Sequence, residues 1–332
     1  MKKFQVGILV ILVIIVGFVV WYNVSQKAEP ITTSQSLRIG LNPWIGNGLY
    51  YVAKEKGFFE AEKINVQLES FDDGAVGKQL LNTSEIEVLP LTPETAVVLA
   101  GAGVKIKIVG MSDSSEGADG IMAAQNIKTI SDLRGKKVAF EVGSPSHFFI
   151  SYLLDKEGLS TNDLTVVNST APDAGAAFVV GQVDAAVTWQ PWLSKSSERP
   201  GGHILANSRV LPIFPDMLIF REEVVKNRPQ DVRAMLRAMF AAREWILANQ
   251  NEAVGIIAKS FNITNQEVVE QLPDFRWLSY EDNVKSFDSG QPNNLLQKAA
   301  DLWLKLGLIK TKIDANNLVD GSLLKNLYNE TR

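Results

Sequence analysis

The sequence predicts an α/β protein behind an apolar N-terminal helix, and three observations carry that prediction. Lys2 and Lys3 precede "FQVGILVILVIIVGFVVWY" (4–22), a run without any charge. Short apolar runs then alternate with helical patterns as far as Trp189. From Pro229 to about Lys325 the pattern is helical throughout. Alternation of strand and helix implies mostly parallel sheets covered by helices on both faces. A chain of 332 residues, 46% of them hydrophobic, has ample material for one large domain or two smaller ones.

The first element is the 4–22 run. At 1.5 Å per residue it spans about 28 Å, close to the hydrocarbon core of a bilayer. A cleaved signal peptide has a shorter apolar region, about 7–15 residues, and a small-residue exit. Here the exit reads "NVSQKAEP". Trp21 and Tyr22 stand where interfacial aromatics belong, and the two lysines favour an N-terminus held inside. Residues 1–27 therefore read as a signal anchor. A cleaved signal peptide is the alternative, and a buried soluble helix stands behind both. Either of the first two places the remainder outside the cytoplasm. Residues 28–36, "AEPITTSQS", are polar and read as a tether.

After the tether, "LRIGLN" (37–42) reads as a strand and "GLYYVAKEKGFF" (48–59) as a helix with Gly57 near its end. "INVQLESF" (64–71), "IEVLPLT" (86–92) and "KIKIVGMSD" (105–113) read as further strands with helices between them. The pattern resumes with "KKVAFE" (136–141), a helix through Lys156, "LTVVNST" (164–170), a helix, and "DAAVTW" (184–189). In the C-terminal part, Val232, Leu236, Met239 and Phe240 keep helical spacing, as do Leu295, Ala299, Leu302 and Leu306. These stripes read as core. Thr264 and Glu267 fit a capping box.

Composition removes several functions. There is no cysteine, so disulfides, thiolate metal sites and cysteine nucleophiles are excluded. Net charge is −4 and no basic run forms a phosphate-binding stripe, so nucleic acid is not an expected partner. The two histidines, His147 and His203, have no other metal-ligand pattern beside them, so neither a metal nor a cofactor is expected. "NPWIGNGLYY" opens like a dinucleotide fingerprint but has Tyr51 where the third glycine belongs.

In open α/β sheets, ligands bind outside the carboxyl ends of the strands. Four strand-to-helix junctions share a proline at or near the first helical position: Pro93, Pro145, Pro172 and Pro191. If Ser144 caps its helix, the N–H groups of Ser146 and His147 are free to hold an anionic group, or simply water. His147, followed by Phe148 and Phe149, also fits a packed core residue. The junction after the first strand offers Asn42, Trp44 and Asn47, with Gly46 and Gly48 allowing close backbone approach. In "VDAAVTWQPWLS" (183–194), Trp189 and Gln190 form the strand exit and Pro191 starts a helix. Trp189 reads as a cleft wall and Trp192 as packing on the sheet.

At this point the chain resembles the solute-binding proteins of ABC importers for nitrate, sulfonate, taurine and bicarbonate. "LRIGLNPWIGNGLYYVAKEKGFFEAEKINVQLESF", "ISDLRGKKVAFEVGSPSHFFISYLLDKEGL" and "AAFVVGQVDAAVTWQPWL" carry the resemblance. It implies a two-lobed type II periplasmic-binding-protein fold, with the chain crossing between lobes near Gly117–Met122 and near Pro212–Phe220. Lobe one would be 37–118 plus 216–332, and lobe two 119–215. The implied ligand positions are Asn42, Trp44, Thr92, Asp113, Ser114, Ser144, Ser146, Trp189, Gln190 and Asp216. Asn47 and His147 join them from the junctions. Relatives often carry glutamate at Gln190. Asp113, Asp119, Asp173 and Asp216 near a cleft argue against a bare dianion and admit a zwitterion or a neutral heterocycle. The implied role is a monomeric extracytoplasmic solute-binding component. It would capture a small organic anion or zwitterion and deliver it to an ABC permease, with residues 4–22 in the cytoplasmic membrane. A ligand sensor of the same fold and a pyrimidine-precursor binding protein or enzyme are the alternatives. The enzyme reading lacks the cysteine-rich motif of its family.

Overall fold

The computed structural model describes residues 35–210 and 214–330. The helix expected within 1–27, most of the tether, and residues 211–213 of the second expected crossing lie outside the described residues. Among the described residues, no helix is long and apolar enough to cross a membrane.

The strands are β1 (Leu37–Leu41), β2 (Val66–Ser70), β3 (Val88–Leu91), β4 (Ile106–Ser115), β5 (Asp119–Ala123), β6 (Lys137–Phe140), β7 (Thr165–Asn168), β8 (Ala185–Trp189), β9 (His203–Asn207), β10 (Pro215–Arg221) and β11 (Phe275–Trp277). They form two sheets, ordered β11-β4-β10-β3-β1-β2 and β7-β6-β8-β5-β9. The chain leaves the first sheet after Ser115, enters the second at Asp119, and is back in the first by Pro215.

The expectation of mostly parallel sheets needs correction. β1 pairs in parallel with β2 and β3, and β6 with β7 and β8. β10 runs antiparallel to β3 and β4, β11 to β4, and β5 to β8 and β9. Apart from β11, the antiparallel pairings involve the strands that carry the chain into and out of the second sheet. β5, β9, β10 and β11 gave no strand pattern of their own. β11, only three residues long, also interrupts the region expected to be helical throughout.

Helices begin where the parallel strands end. Gly48–Glu55 and Phe58–Ala61 replace the single helix expected over 48–59, because Gly57 takes φ 73° and breaks it. Pro93 and Pro145 open their helices behind Thr92 and Ser144. Pro172 sits second in Ala171–Val179, one position later than the N1 site. Pro191 starts no α-helix. The chain passes through a turn into the 3-10 segment Leu193–Glu198.

The apolar stripes bury as their spacing requires, except that Phe240 and Leu306 are only half-buried. Val232, Met235, Leu236 and Met239 on Pro229–Ala248 are buried, as are Leu295, Ala299 and Leu302 on Gln291–Lys305. Thr264 and Glu267 form the expected capping box.

Candidate functional site

The ends of the two sheets line a cavity of about 30 Å³. Asn42 and Trp44 reach it from the loop after β1, and Leu91 and Thr92 from the end of β3. Asp113 and Ser115 come from β4, and Phe214 and Asp216 from the start of β10. The second sheet contributes Asp119 at the start of β5, Trp189 at the end of β8, and Pro145 at a helix start. Of the expected ligand residues, Asn42, Trp44, Thr92, Asp113, Trp189 and Asp216 are thus brought together.

Strand register explains why. Asp216 lies directly opposite Asp113 in the β10–β4 ladder, so both side chains share one face. Asp119 lies directly opposite Trp189 in the β5–β8 ladder. Each sheet therefore presents one cross-strand pair to the cavity. Trp44 Nε1 donates to Asp113 Oδ1 at 2.8 Å, and Ser112 Oγ donates to Oδ2 at 2.8 Å. Asn47 does not line the cavity but fixes the loop. Its Nδ2 donates to the carbonyl of Asn42 at 3.0 Å and to Oδ1 of Asn42 at 2.8 Å. Gly46 is required by contact: a Cβ there would stand 2.3 Å from Trp44 Nε1 and 2.9 Å from the Asp113 carboxyl. Its carbonyl accepts from Trp277 Nε1 at 2.7 Å.

The electrostatics are those of acids held away from water. Burial pushes Asp113 up to about 6, against hydrogen bonds from Trp44 and Ser112. Burial likewise takes Asp119 to about 6, opposed by Ser115. Asp216 lies well above the usual carboxylate range, first from burial and then from the charges of Asp113, Asp119 and Glu94. Glu94, behind the cavity, accepts from Thr92 Oγ1 and is raised by burial to about 7. Trp189 is 8% exposed, and its Nε1 has no partner among the described residues.

Five other expected residues sit elsewhere. Ser114 faces a neighbouring groove of about 400 Å³ with Glu116, Arg209 and Arg276. Ser144 caps its helix, accepting from His147 N at 3.5 Å and donating to the carbonyl of Glu141 at 2.7 Å. The backbone N–H of His147 is therefore taken by the cap and is not free for an anion. Ser146 keeps a buried hydroxyl without a partner among the described residues. His147 is core. Nδ1 accepts from Gly143 N at 3.0 Å, the ring stacks on Phe140, and burial lowers it to about 4. Gln190 is a clamp: Nε2 donates to Asp274 Oδ2 at 2.9 Å while Oε1 accepts from Ser194 N and Oγ. That clamp replaces the helix expected at Pro191. Asp173 is an ordinary cap partner of Thr170. Trp192 is half-buried, set edge-on to Trp189, and lies against Gly175 of the Ala171–Val179 helix.

Leu91, Ser115, Pro145 and Phe214 also line the cavity, without having been singled out from the sequence as ligand residues. Pro145 was marked only as a helix start, and nothing in the local pattern distinguishes Ser115 from Ser114. Among the described residues, no three His, Cys, Asp or Glu side chains are grouped as metal ligands. The site offers acceptors for a positive group, an indole donor and apolar walls. Its Thr92 hydroxyl is hydrogen-bonded to the Glu94 carboxylate, and no histidine or lysine stands among the described residues that line it.

Comparison with known proteins adds the lineage. The family model described as NMT1/THI5 like matches residues 46–253. A putative aliphatic sulfonates-binding protein of Bacillus subtilis is 26% identical over 303 residues, 89% of each chain. The crystal structure of the periplasmic aliphatic sulphonate binding protein SsuA from Escherichia coli superposes with a TM-score of 0.72 at 24% identity, covering 85% of this chain and 91% of that one. The periplasmic nitrate-binding protein NrtA from Synechocystis PCC 6803 gives 0.73 at 14% identity, covering 89% and 88%. The two-sheet α/β fold is shared with both.

Proposed function

This chain belongs to the NMT1/THI5-like family, and from that premise we propose that it is the extracytoplasmic solute-binding component of an ABC importer. It captures a small organic anion or zwitterion of the sulfonate, taurine and nitrate range and delivers it unchanged to a permease. Residues 37–118 with 216–332 form one lobe and 119–215 the other. They close on the solute about the crossings near Gly117 and Pro215. Residues 4–22 hold the protein, as a monomer, at the outer face of the cytoplasmic membrane.

The observation that carries this reading is the placement of the cavity. It lies where parallel strands of both sheets end, beside both crossings, and is lined from both sides. Its volume of about 30 Å³ suits one or two water-sized groups, so a whole solute enters an opened cleft and is then enclosed. Asn42, Trp44, Thr92, Asp113, Asp119, Trp189 and Asp216 contact it. Gly117, with φ 137°, supplies backbone freedom at the first crossing. The chemistry of the lining also speaks for binding rather than turnover, since no histidine, lysine or cysteine stands among the described lining residues to act on a solute beside the hydroxyls of Thr92 and Ser115.

Mass spectrometry of solute recovered from the purified protein tests the reading. One solute per chain, identical in mass to the one supplied, is expected. A product of different mass would move the protein into the enzyme class. Intact mass of native material tests the anchor: retention of residues 1–27 is expected, and an N-terminus near Ala28 overturns it.

A further inference from the structure

The solute-binding reading leaves open which part of the solute the cavity grips. Asp113 and Asp216 face each other across β4 and β10, and Asp119 joins them from the second sheet. Like charges set directly opposite in a sheet destabilise it. Asp113 has two neutral donors, Trp44 and Ser112, and Asp119 has the Ser115 hydroxyl beside it. Asp216 has around it the negative charges of Asp113, Asp119 and Glu94. Lys78 is the cation felt at Glu94, and its Nζ is directed to the carbonyl of Gly143 at 3.1 Å. Buried charge persists when a partner compensates it.

A second observation is independent of the acids. Trp189 lines the same cavity, opposite Asp119 in its ladder, and is more than nine-tenths buried. Its Nε1–H is a donor without an acceptor among the described residues. A buried, unsatisfied donor is costly and marks a place where an acceptor arrives.

Resting on the solute-binding reading, we infer that the anchoring group of the solute is a protonated nitrogen, an ammonium or amidinium, seated among Asp113, Asp119 and Asp216. A hydrogen-bond acceptor elsewhere on the same molecule meets Trp189 Nε1. Within the proposed range, a compact amine-bearing zwitterion, taurine-like, is therefore held more tightly than the bare anions, and a compact amine cation is admitted beside it. The neighbouring groove does not reverse this selection. Its Arg209 is paired with Asp274, and its Arg276 with Glu116 and Asp282.

The test uses the full chain in mild detergent at pH 7.5. Ethanolamine, acetamidine and taurine are titrated against methanesulfonate and nitrate, by calorimetry and by thermal shift. At least one nitrogen cation is expected to bind tenfold or more tightly than either anion. Asp216→Asn is expected to weaken that binding at least tenfold while leaving the unliganded melting temperature equal or higher, since it removes a buried repulsion at constant shape. A structural aspartate would instead lose stability on that change. Asp119→Asn repeats the experiment from the other sheet. Tighter binding of methanesulfonate or nitrate overturns the inference and leaves the solute-binding reading standing. Undiminished binding by both variants does the same. Binding of no probe overturns both.

Discussion

Two hollows share Ser115, and they differ in what they have left unsatisfied. The larger, about 400 Å³, contains Arg209 and Arg276, both already neutralised by carboxylates. The smaller, about 30 Å³, contains three carboxylates without a cation and an indole N–H without an acceptor. The larger is a groove whose arginines are paired. The smaller is a hollow where Asp216 faces like charges and, among the described residues, the Trp189 indole N–H has no acceptor. Size alone would choose the larger hollow, whereas the unmet charges and the unpaired indole favour the smaller one as the proposed solute site.

The largest expected effect that separates them is on affinity. Trp189→Ala removes an apolar wall and the unpaired donor, and should weaken binding of whichever solute is found by about 10- to 150-fold. Isothermal titration measures it, with unliganded melting as the control for packing against Trp192. Gly46→Ala should come next. Its Cβ would meet Trp44 Nε1 at 2.3 Å and the Asp113 carboxyl at 2.9 Å. The resulting displacement should cost about 1–3 kcal/mol of stability and disturb the Trp44–Asp113 hydrogen bond. Chemical denaturation quantifies the first, and the titration the second.

The acids give a pH dependence of definite sign. Asp113, Asp119, Asp216 and Glu94 all have folded-state values above their unfolded ones. Their stabilising contribution is present at low pH and is lost as pH rises through about 6 to 7 and beyond. His147 acts oppositely. Its value is lowered to about 4, so its contribution is present above about 6.5 and lost below. The two trends compete between about pH 4 and 6.5, and above that the acids act alone. Unliganded stability should therefore fall by about 1–3 kcal/mol from pH 6.5 to 8. Urea unfolding across that range checks it, and a rise instead would mean the acids are solvated. The smallest effect belongs to the larger groove. Arg276→Gln should change solute affinity less than threefold and stability by about 1 kcal/mol or less, because exposed ion pairs contribute little.

The sequence disclosed the parts of this site whose meaning is local. Apolar runs flanked by helix starts located β1, β3, β6 and β8, and Trp44, Thr92 and Trp189 followed as strand-exit residues. The antiparallel strands were not legible. β5 begins Asp-Gly, β11 is three residues long, and each takes its place only by pairing with a distant strand. Asp113 and Asp216 meet because β10 returns beside β4 after the whole second sheet, a fact absent from either neighbourhood. The contacts of Gln190 and His147 were not legible for the same reason. The partner of Gln190, Asp274, lies 84 residues away, and His147 finds Trp303 on a helix of the C-terminal region.

The central claim is that the small acidic cavity is where the solute is held, and the indole N–H resonances report on it most directly. In nitrogen-15-labelled protein, with Trp189→Phe used for assignment, a saturating solute should shift the Trp189 resonance and slow its exchange with solvent as its Nε1–H gains an acceptor. Trp44, bonded to Asp113, should shift with it, while Trp245, against Lys56 at the surface, should stay in place. A saturating solute that leaves Trp189 and Trp44 unmoved would contradict the assignment of the site.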